Sequence, residues 1–136
     1  MFKIKRLDHL VIKTINIKEM TSFYCFILGY KIQRDSLKET GLLELSAGES
    51  MIDLFDSRHE SNLNTFSSES KNNTIDHFCI LLDNFDETDI KVHLKSFGVE
   101  CSEIEMNYGS SGYGPSIYIH DPDGNKVELK GVVNSS

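Results

Sequence analysis

Leu7-Asp8-His9-Leu10 returns 68 residues later as Ile75-Asp76-His77-Phe78, and this repetition decides how the rest of the chain is read. Each tetrapeptide opens a strand-like apolar run, over residues 7–13 and 75–82. At the same offset Asn16-x-x-Glu19 is answered by Asn84-x-x-Glu87. Further along, Leu28-Gly29-Tyr30 is answered by Phe97-Gly98-Val99, and Ile52-Asp53-Leu54 by Val127-Glu128-Leu129. One match could arise by chance, but an ordered series points to two related units of about 50–60 residues.

Each unit reads as a strand, a helix and three strands. In the first, Asn16 with Glu19 has the form of a capping box. Met20, Phe23, Tyr24, Ile27 and Leu28 then fall at helical spacing on one apolar stripe. Gly29 stops the helix with the left-handed backbone that glycine accepts. Strands are expected near 30–35, 42–46 and 50–55. The second unit predicts a helix from about Asp86 to Phe97, a stop at Gly98, and strands near 99–104, 116–120 and 125–130. Asp121-Pro122-Asp123-Gly124 reads as a turn joining the last two. Residues Asn107 to Pro115 read as a longer loop. Their Gly109-Ser110-Ser111-Gly112-Tyr113-Gly114 run does not lead from a strand into a helix, so it suits a lid or a hairpin connection rather than a phosphate cradle. Module one thus spans about 6–56, a Ser- and Asn-rich linker about 57–74, and module two about 75–131, with a frayed tail after Val132.

The whole has the length of one domain: 136 residues, 14 basic and 21 acidic side chains, net charge −7. That balance argues against a nucleic-acid binder, which replaces counterions with Lys and Arg. No apolar run approaches the ~20 residues of a membrane span, and no signal-type stretch follows the basic start. Cys25, Cys79 and Cys101 are odd in number and widely spaced, as free thiols in a reducing compartment would be. A cytoplasmic protein is expected.

Alternate side chains of a strand share a face. His9 lies with Val11 and Lys13, and His77 with Cys79 and Leu81. Asp53 lies with Met51 and Phe55, and Glu128 with Lys126 and Lys130. Each unit therefore offers one histidine on its first strand and one carboxylate on its last. A carboxylate interrupting an apolar run needs a partner or water, because burying it alone is costly. Two modules paired about a pseudo-twofold axis would let His9, Asp53, His77 and Glu128 converge on a divalent ion. A single strand histidine is more often a satisfied or exposed residue than a ligand; the repetition favours the ligand reading.

The chain resembles the vicinal-oxygen-chelate superfamily, which includes glyoxalases, fosfomycin-resistance proteins and extradiol dioxygenases. The resemblance is carried by Leu7-Asp8-His9-Leu10, Phe23-Tyr24 with Leu28-Gly29, Ile75-Asp76-His77-Phe78, and Ser116-Ile117-Tyr118-Ile119 running into Asp121 to Leu129. It implies an α+β fold of two tandem βαβββ modules, a cupped and partly open mixed sheet with outer helices, in a homodimer. It implies metal ligands at His9, Asp53, His77 and Glu128. Asp53 departs from the Glu or Gln of glyoxalase I-like relatives, whereas His9, His77 and Glu128 match the triad of fosfomycin-modifying transferases and ring-cleaving dioxygenases.

Three functions compete. In a glyoxalase-like lyase or isomerase, Ni, Zn, Mn or Fe would polarise vicinal oxygens of a small substrate, and Glu128 or Asp53 would move a proton. Lys13 would stand where an arginine meets a thiol cofactor such as glutathione; the bland reading is a solvated strand end. In a fosfomycin-type thiol transferase, Ser116 and Tyr118 would line the substrate pocket. In a metal-free drug-binding module, Met51, Phe55 and Tyr113 would line an apolar one. Cys79 could touch the site or simply fill space, and His59, His93 and His120 are expected to be exposed.

Overall fold

The structure, a computed structural model, describes residues 1–60 and 74–133. Most of the expected linker, residues 61–73, and the tail residues 134–136 lie outside the described residues. The chain divides into two units, Met1–Glu69 and Ser70–Ser136.

The first unit runs β1 (His9–Thr14), α1 (Ile17–Ser22), β2 (Lys31–Ser36), β3 (Leu42–Ala47) and β4 (Ser50–Asp56). Its sheet has the order β1-β4-β3-β2. β1 and β4 are parallel, and the other neighbours are antiparallel. One sheet face buries Ile12, Leu43, Leu45, Ile52 and Leu54, and Met20, Phe23 and Tyr24 of the helical segment are buried as well. That segment is not one uniform helix. Its second half, Phe23–Ile27, widens into a π-helical turn, with the Leu28 N–H donating to the Phe23 carbonyl at 3.1 Å. Tyr24 sits edge-on between Phe23 and Tyr30, with ring centroids 5.2 and 6.0 Å apart. Gly29 ends the segment at φ +84°. Asn16 stands at the helix start, but its side chain does not close the expected capping box.

The second unit repeats the plan: β5 (Phe78–Leu81), α2 (Glu87–Ser96), β6 (Glu105–Gly109), β7 (Gly112–His120) and β8 (Lys126–Lys130), in the order β5-β8-β7-β6. Each module is thus a βαβββ unit around an open, four-stranded mixed sheet. Asp86 caps α2, its carboxylate accepting from the Asp89 N–H at 2.9 Å. The Asp121 to Gly124 turn forms as expected: the Asp121 side chain accepts from the backbone N–H groups of Asp123 and Asn125, both at 2.9 Å.

The strand boundaries of the second unit are also corrected, β5 being confined to Phe78–Leu81. The strand placed at 99–104 lies instead at Glu105–Gly109, and the supposed loop from Asn107 to Pro115 is the β6–β7 hairpin, closing at Gly109 opposite Gly112. Gly112 takes the left-handed backbone of the turn, at φ +91°, and Gly114 serves packing. A Cβ on Gly114 would stand 1.8 Å from the Gly131 carbonyl oxygen, so only glycine fits there. The buried Lys130 ammonium donates to the Gly112 carbonyl at 2.7 Å and to that of Gly131 at 3.1 Å, fastening the hairpin to the end of β8.

Candidate metal centre

Strand register fixes which side chains share the polar face of each sheet. In the first unit Val11 stands beside Asp53, Asp53 beside Glu44, and Glu44 beside Arg34. His9, Lys13, Met51 and Phe55 lie on that face by alternation. In the second unit Cys79 stands beside Glu128 and Glu128 beside Tyr118, with Ser116 and Lys130 one step along. His9 and Asp53 therefore lie on one face of the first sheet, whereas His77 stands just before β5, outside the strand expected to begin at residue 75, and reaches Glu128 from there.

In the first half, His9 Nδ1 and an oxygen of the adjacent Asp8 carboxylate are 2.8 Å apart. That hydrogen bond holds the His9 pKa above the ordinary histidine value. Asp53 is buried, and its Oδ1 has no hydrogen-bond partner among the described residues. Burial pushes its pKa up; the His9 charge pulls it back, and Glu44 adds to the rise. Glu44 is itself engaged by Arg34 at 2.9 Å. Lys13 is exposed, while Met51 and Phe55 are half-buried beside Asp53.

In the second half, His77 Nδ1 and an Asp76 carboxylate oxygen are 2.7 Å apart, repeating the first half's geometry. His77 Nε2 lies 3.2 Å from Glu128 Oε1. Glu128 is well furnished with donors: the Ser116 hydroxyl at 2.8 Å on Oε2 and the Tyr118 hydroxyl at 3.1 Å on Oε1. Asn107 donates to the Tyr118 oxygen at 3.0 Å. Burial alone would raise the Glu128 pKa, but the hydrogen bonds from Ser116, Tyr118, Cys79 and Asn107 outweigh it and hold the carboxyl below its usual range. Cys79, desolvated beside that negative charge, is pushed up to about 12 and remains a thiol donor.

The two halves diverge at one pair of positions. Leu42 lies opposite Phe55 and Glu44 opposite Asp53; Ser116 lies opposite Lys130 and Tyr118 opposite Glu128. Leu42 and Glu44 thus occupy the places of Ser116 and Tyr118. A methyl-bearing chain and a second acid replace two hydroxyl donors, which is why Asp53 keeps an orphaned oxygen and Glu128 does not.

Among the described residues no three His, Cys, Asp or Glu side chains form a metal cluster; each half contributes a pair. The second pair has a spacing that suits a divalent ion. Two donors each about 2.1 Å from one ion and at right angles lie about 3.0 Å apart, close to the His77–Glu128 spacing. The orphaned Asp53 oxygen is a buried acceptor with nothing to accept.

A model of the Glyoxalase/Bleomycin resistance protein/Dioxygenase superfamily matches residues 6–129. The chain belongs to this superfamily. A solved protein from the mobile metagenome of V. pseudocholerae is similar at 29% identity, covering 98% of this chain and 99% of that one, with a TM-score of 0.76. Lactoylglutathione lyase from Agrobacterium tumefaciens shares the fold at 18% identity, 94% coverage of each chain and a TM-score of 0.65. So does the genomically encoded fosfomycin resistance protein of Listeria monocytogenes, at 18% identity, 96% coverage of each and a TM-score of 0.68.

Within the superfamily fold, sequence reasoning missed Asp8 and Asp76, which touch the two histidines, and Asn107, which extends the Glu128 network. The signal for the acids was present: an Asp immediately precedes His in both halves. Asn107 was hidden by reading its strand as a loop. Tyr113 is exposed and packs against Tyr108, with centroids 5.0 Å apart. His93 and His120 are exposed as expected, but His59 is half-buried, its Nε2 2.8 Å from the Lys38 carbonyl oxygen.

Proposed function

We propose that the protein is a glyoxalase-like, metal-dependent lyase or isomerase acting on a small substrate with vicinal oxygens. The observation that carries this is the duplicated histidine–carboxylate pair, one in each unit, with the second pair already at a spacing suited to one ion. His9, His77 and Glu128 would hold the ion, with Asp53 as the fourth ligand. A divalent ion bound there supplies Lewis acidity toward adjacent substrate oxygens.

The two carboxylates suit different duties, because their surroundings push their pKa values apart. Glu128, fixed by Ser116 and Tyr118 and kept acidic, serves as a constant anion. Asp53, desolvated and with no donor to its Oδ1 among the described residues, binds a proton more readily in the metal-free protein than Glu128 does, which favours it as the shuttle when its oxygen is off the ion. In the proposed step an Asp53 oxygen takes the proton from the carbon beside the substrate carbonyl and returns it to the neighbouring carbon. The C–H pair becomes a C=C bond as the carbonyl π pair moves onto its oxygen. The C=C pair then takes the proton at the former carbonyl carbon, while the hydroxyl on the first carbon becomes the new carbonyl and its proton passes to the former carbonyl oxygen. The carbons exchange oxidation levels, so no outside oxidant is required. Lys13 would attract an anionic portion of a thiol cosubstrate such as glutathione, and Met51 and Phe55 would line the apolar side. Ser116 and Tyr118 contribute by holding Glu128.

Among the described residues no helix is long and apolar enough to cross a membrane. Cys25, Cys79 and Cys101 are all free thiols, which suits a reducing cytoplasm. We take the working form to be a homodimer, which sedimentation velocity tests directly.

The deciding experiment is metal analysis of protein purified without chelator, followed by a substrate panel on reconstituted protein. Expected are a bound divalent ion, a metal-dependent rise in unfolding temperature, and turnover of the methylglyoxal–glutathione hemithioacetal. Turnover of fosfomycin with a thiol, or of a catechol, would replace this reading with a transferase or a dioxygenase. Neither bound metal nor a thermal response would leave a metal-free binding module.

A further inference from the structure

We propose that Asp8 and Asp76 are positioning residues that fix the ring tautomer of His9 and His77, so that each ring presents an Nε2 lone pair and not an N–H toward the ion. The inference rests on the metal reading above but concerns residues outside the ligand set. It starts from a geometry that occurs twice. In each half the carboxylate preceding the histidine reaches Nδ1 of that ring, at 2.8 Å for Asp8 and 2.7 Å for Asp76. A neutral imidazole has one N–H and one lone pair, and an ionised carboxylate can only accept. The proton therefore sits on Nδ1, and Nε2 is left as the ligating atom.

The second half makes the consequence visible. Both nitrogens of His77 face carboxylate oxygens, Asp76 on one side and Glu128 at 3.2 Å on the other. A neutral ring can satisfy only one of them. With the N–H committed to Asp76, the Nε2–Oε1 gap holds two lone pairs, an arrangement that a cation between them relieves. Asp76 is steadied from outside: Lys126 Nζ lies 4.0 Å from its Oδ2, and the same ammonium stands 4.5 Å from the Tyr118 ring centroid. Tyr118 in turn packs edge-on to the His77 ring at 5.4 Å and bonds Glu128. Asp76, Glu128 and Tyr118 thus contact the ring, and Lys126 braces Asp76 and Tyr118 from outside. Asp8 and Asp76 are both largely solvent-exposed, with side chains 79% and 81% accessible, so neither is there to fill a core. Outer partners of this type commonly change metal affinity by about 10- to 100-fold.

The test uses the full chain. Long-range proton–nitrogen NMR on metal-free protein, at a pH where the rings are neutral, reads the tautomer directly. His9 and His77 are expected as Nδ1–H tautomers in the wild type. Asp8→Ala and Asp76→Ala should each release their own ring from that state and weaken Zn or Ni binding by tenfold or more in calorimetry. Asp76→Asn, which keeps an acceptor oxygen but not the charge, should keep the tautomer and fall between the two in affinity. Wild-type rings found as Nε2–H, or tautomers unchanged by the alanine variants, would overturn the inference. If the wild type binds no metal while the tautomers respond as stated, the metal reading fails and the positioning role of the two acids stands.

Discussion

Replacing Ser116 by alanine removes a single oxygen from a fully buried site and tests what holds Glu128. The lost contact is a 2.8 Å hydrogen bond from a hydroxyl to a carboxylate. Hydrogen bonds to charged groups contribute about 1.5–3 kcal/mol. Tyr118, Cys79 and Asn107 still reach the carboxylate, so the fold should survive. At neutral pH the urea midpoint should fall by the equivalent of about 1.5–3 kcal/mol with the slope unchanged. On a Glu128→Gln background the acceptor is neutral, and the same substitution should cost only about 0.5–1.5 kcal/mol. The pH dependence carries a definite sign. Glu128 has a lower pKa folded than unfolded, so its hydrogen bonds contribute fully above the ordinary glutamate value. That contribution is lost as pH falls through the folded value, so the Ser116→Ala penalty should shrink below about pH 4. A penalty under about 0.5 kcal/mol, equal penalties on the two backgrounds, or a penalty that grows in acid would each refute the view of Ser116 as a Glu128 anchor.

Asp53 should behave in the opposite way. Its folded pKa is raised, chiefly by burial, so the ionised form costs stability at neutral pH. Asp53→Asn is therefore expected to stabilise the metal-free protein at pH 7 by about 1–3 kcal/mol in urea unfolding, an advantage that fades as pH falls through the raised folded pKa and is gone below the ordinary aspartate value, where both states hold the proton. The same variant should lose the metal-dependent rise in melting temperature, seen by differential scanning fluorimetry. Gly114→Ala drives a methyl group into the Gly131 carbonyl and should cost about 3 kcal/mol in chemical denaturation, without altering the Glu128 network. Lys130→Met leaves two carbonyls without their buried donor; amide exchange should quicken at the β6–β7 hairpin, with a stability loss of about 2 kcal/mol.

What the sequence made legible was whatever the two halves share. Matching Asp-His dipeptides and matching carboxylates located both first strands and both last strands, and alternation put His9 with Asp53 on one sheet face; His77 falls just before its strand, whose start the pattern placed too early. What it hid was local. Gly109, Gly112, Gly114 and Pro115 read as loop residues, yet the alternation of Glu105 and Asn107 with Met106 and Tyr108 belongs to a strand whose turn needs only Ser110 and Ser111. The π-helical turn at Phe23–Ile27 leaves the apolar spacing nearly helical and so has no distinct pattern. The deepest difference lies where the repeat looks most faithful. Asp53 and Glu128 occupy equivalent positions, but their chemistry is set by the neighbouring strand, not by their own. Leu42 and Glu44 face one; Ser116 and Tyr118 face the other. Ser and Tyr at 42 and 44 would supply Asp53 with two of the donors that lower Glu128, leaving Val11 still in the place of Cys79. That asymmetry, set by the cross-strand neighbours of each acid, is what the proposed division of duties between Asp53 and Glu128 rests on.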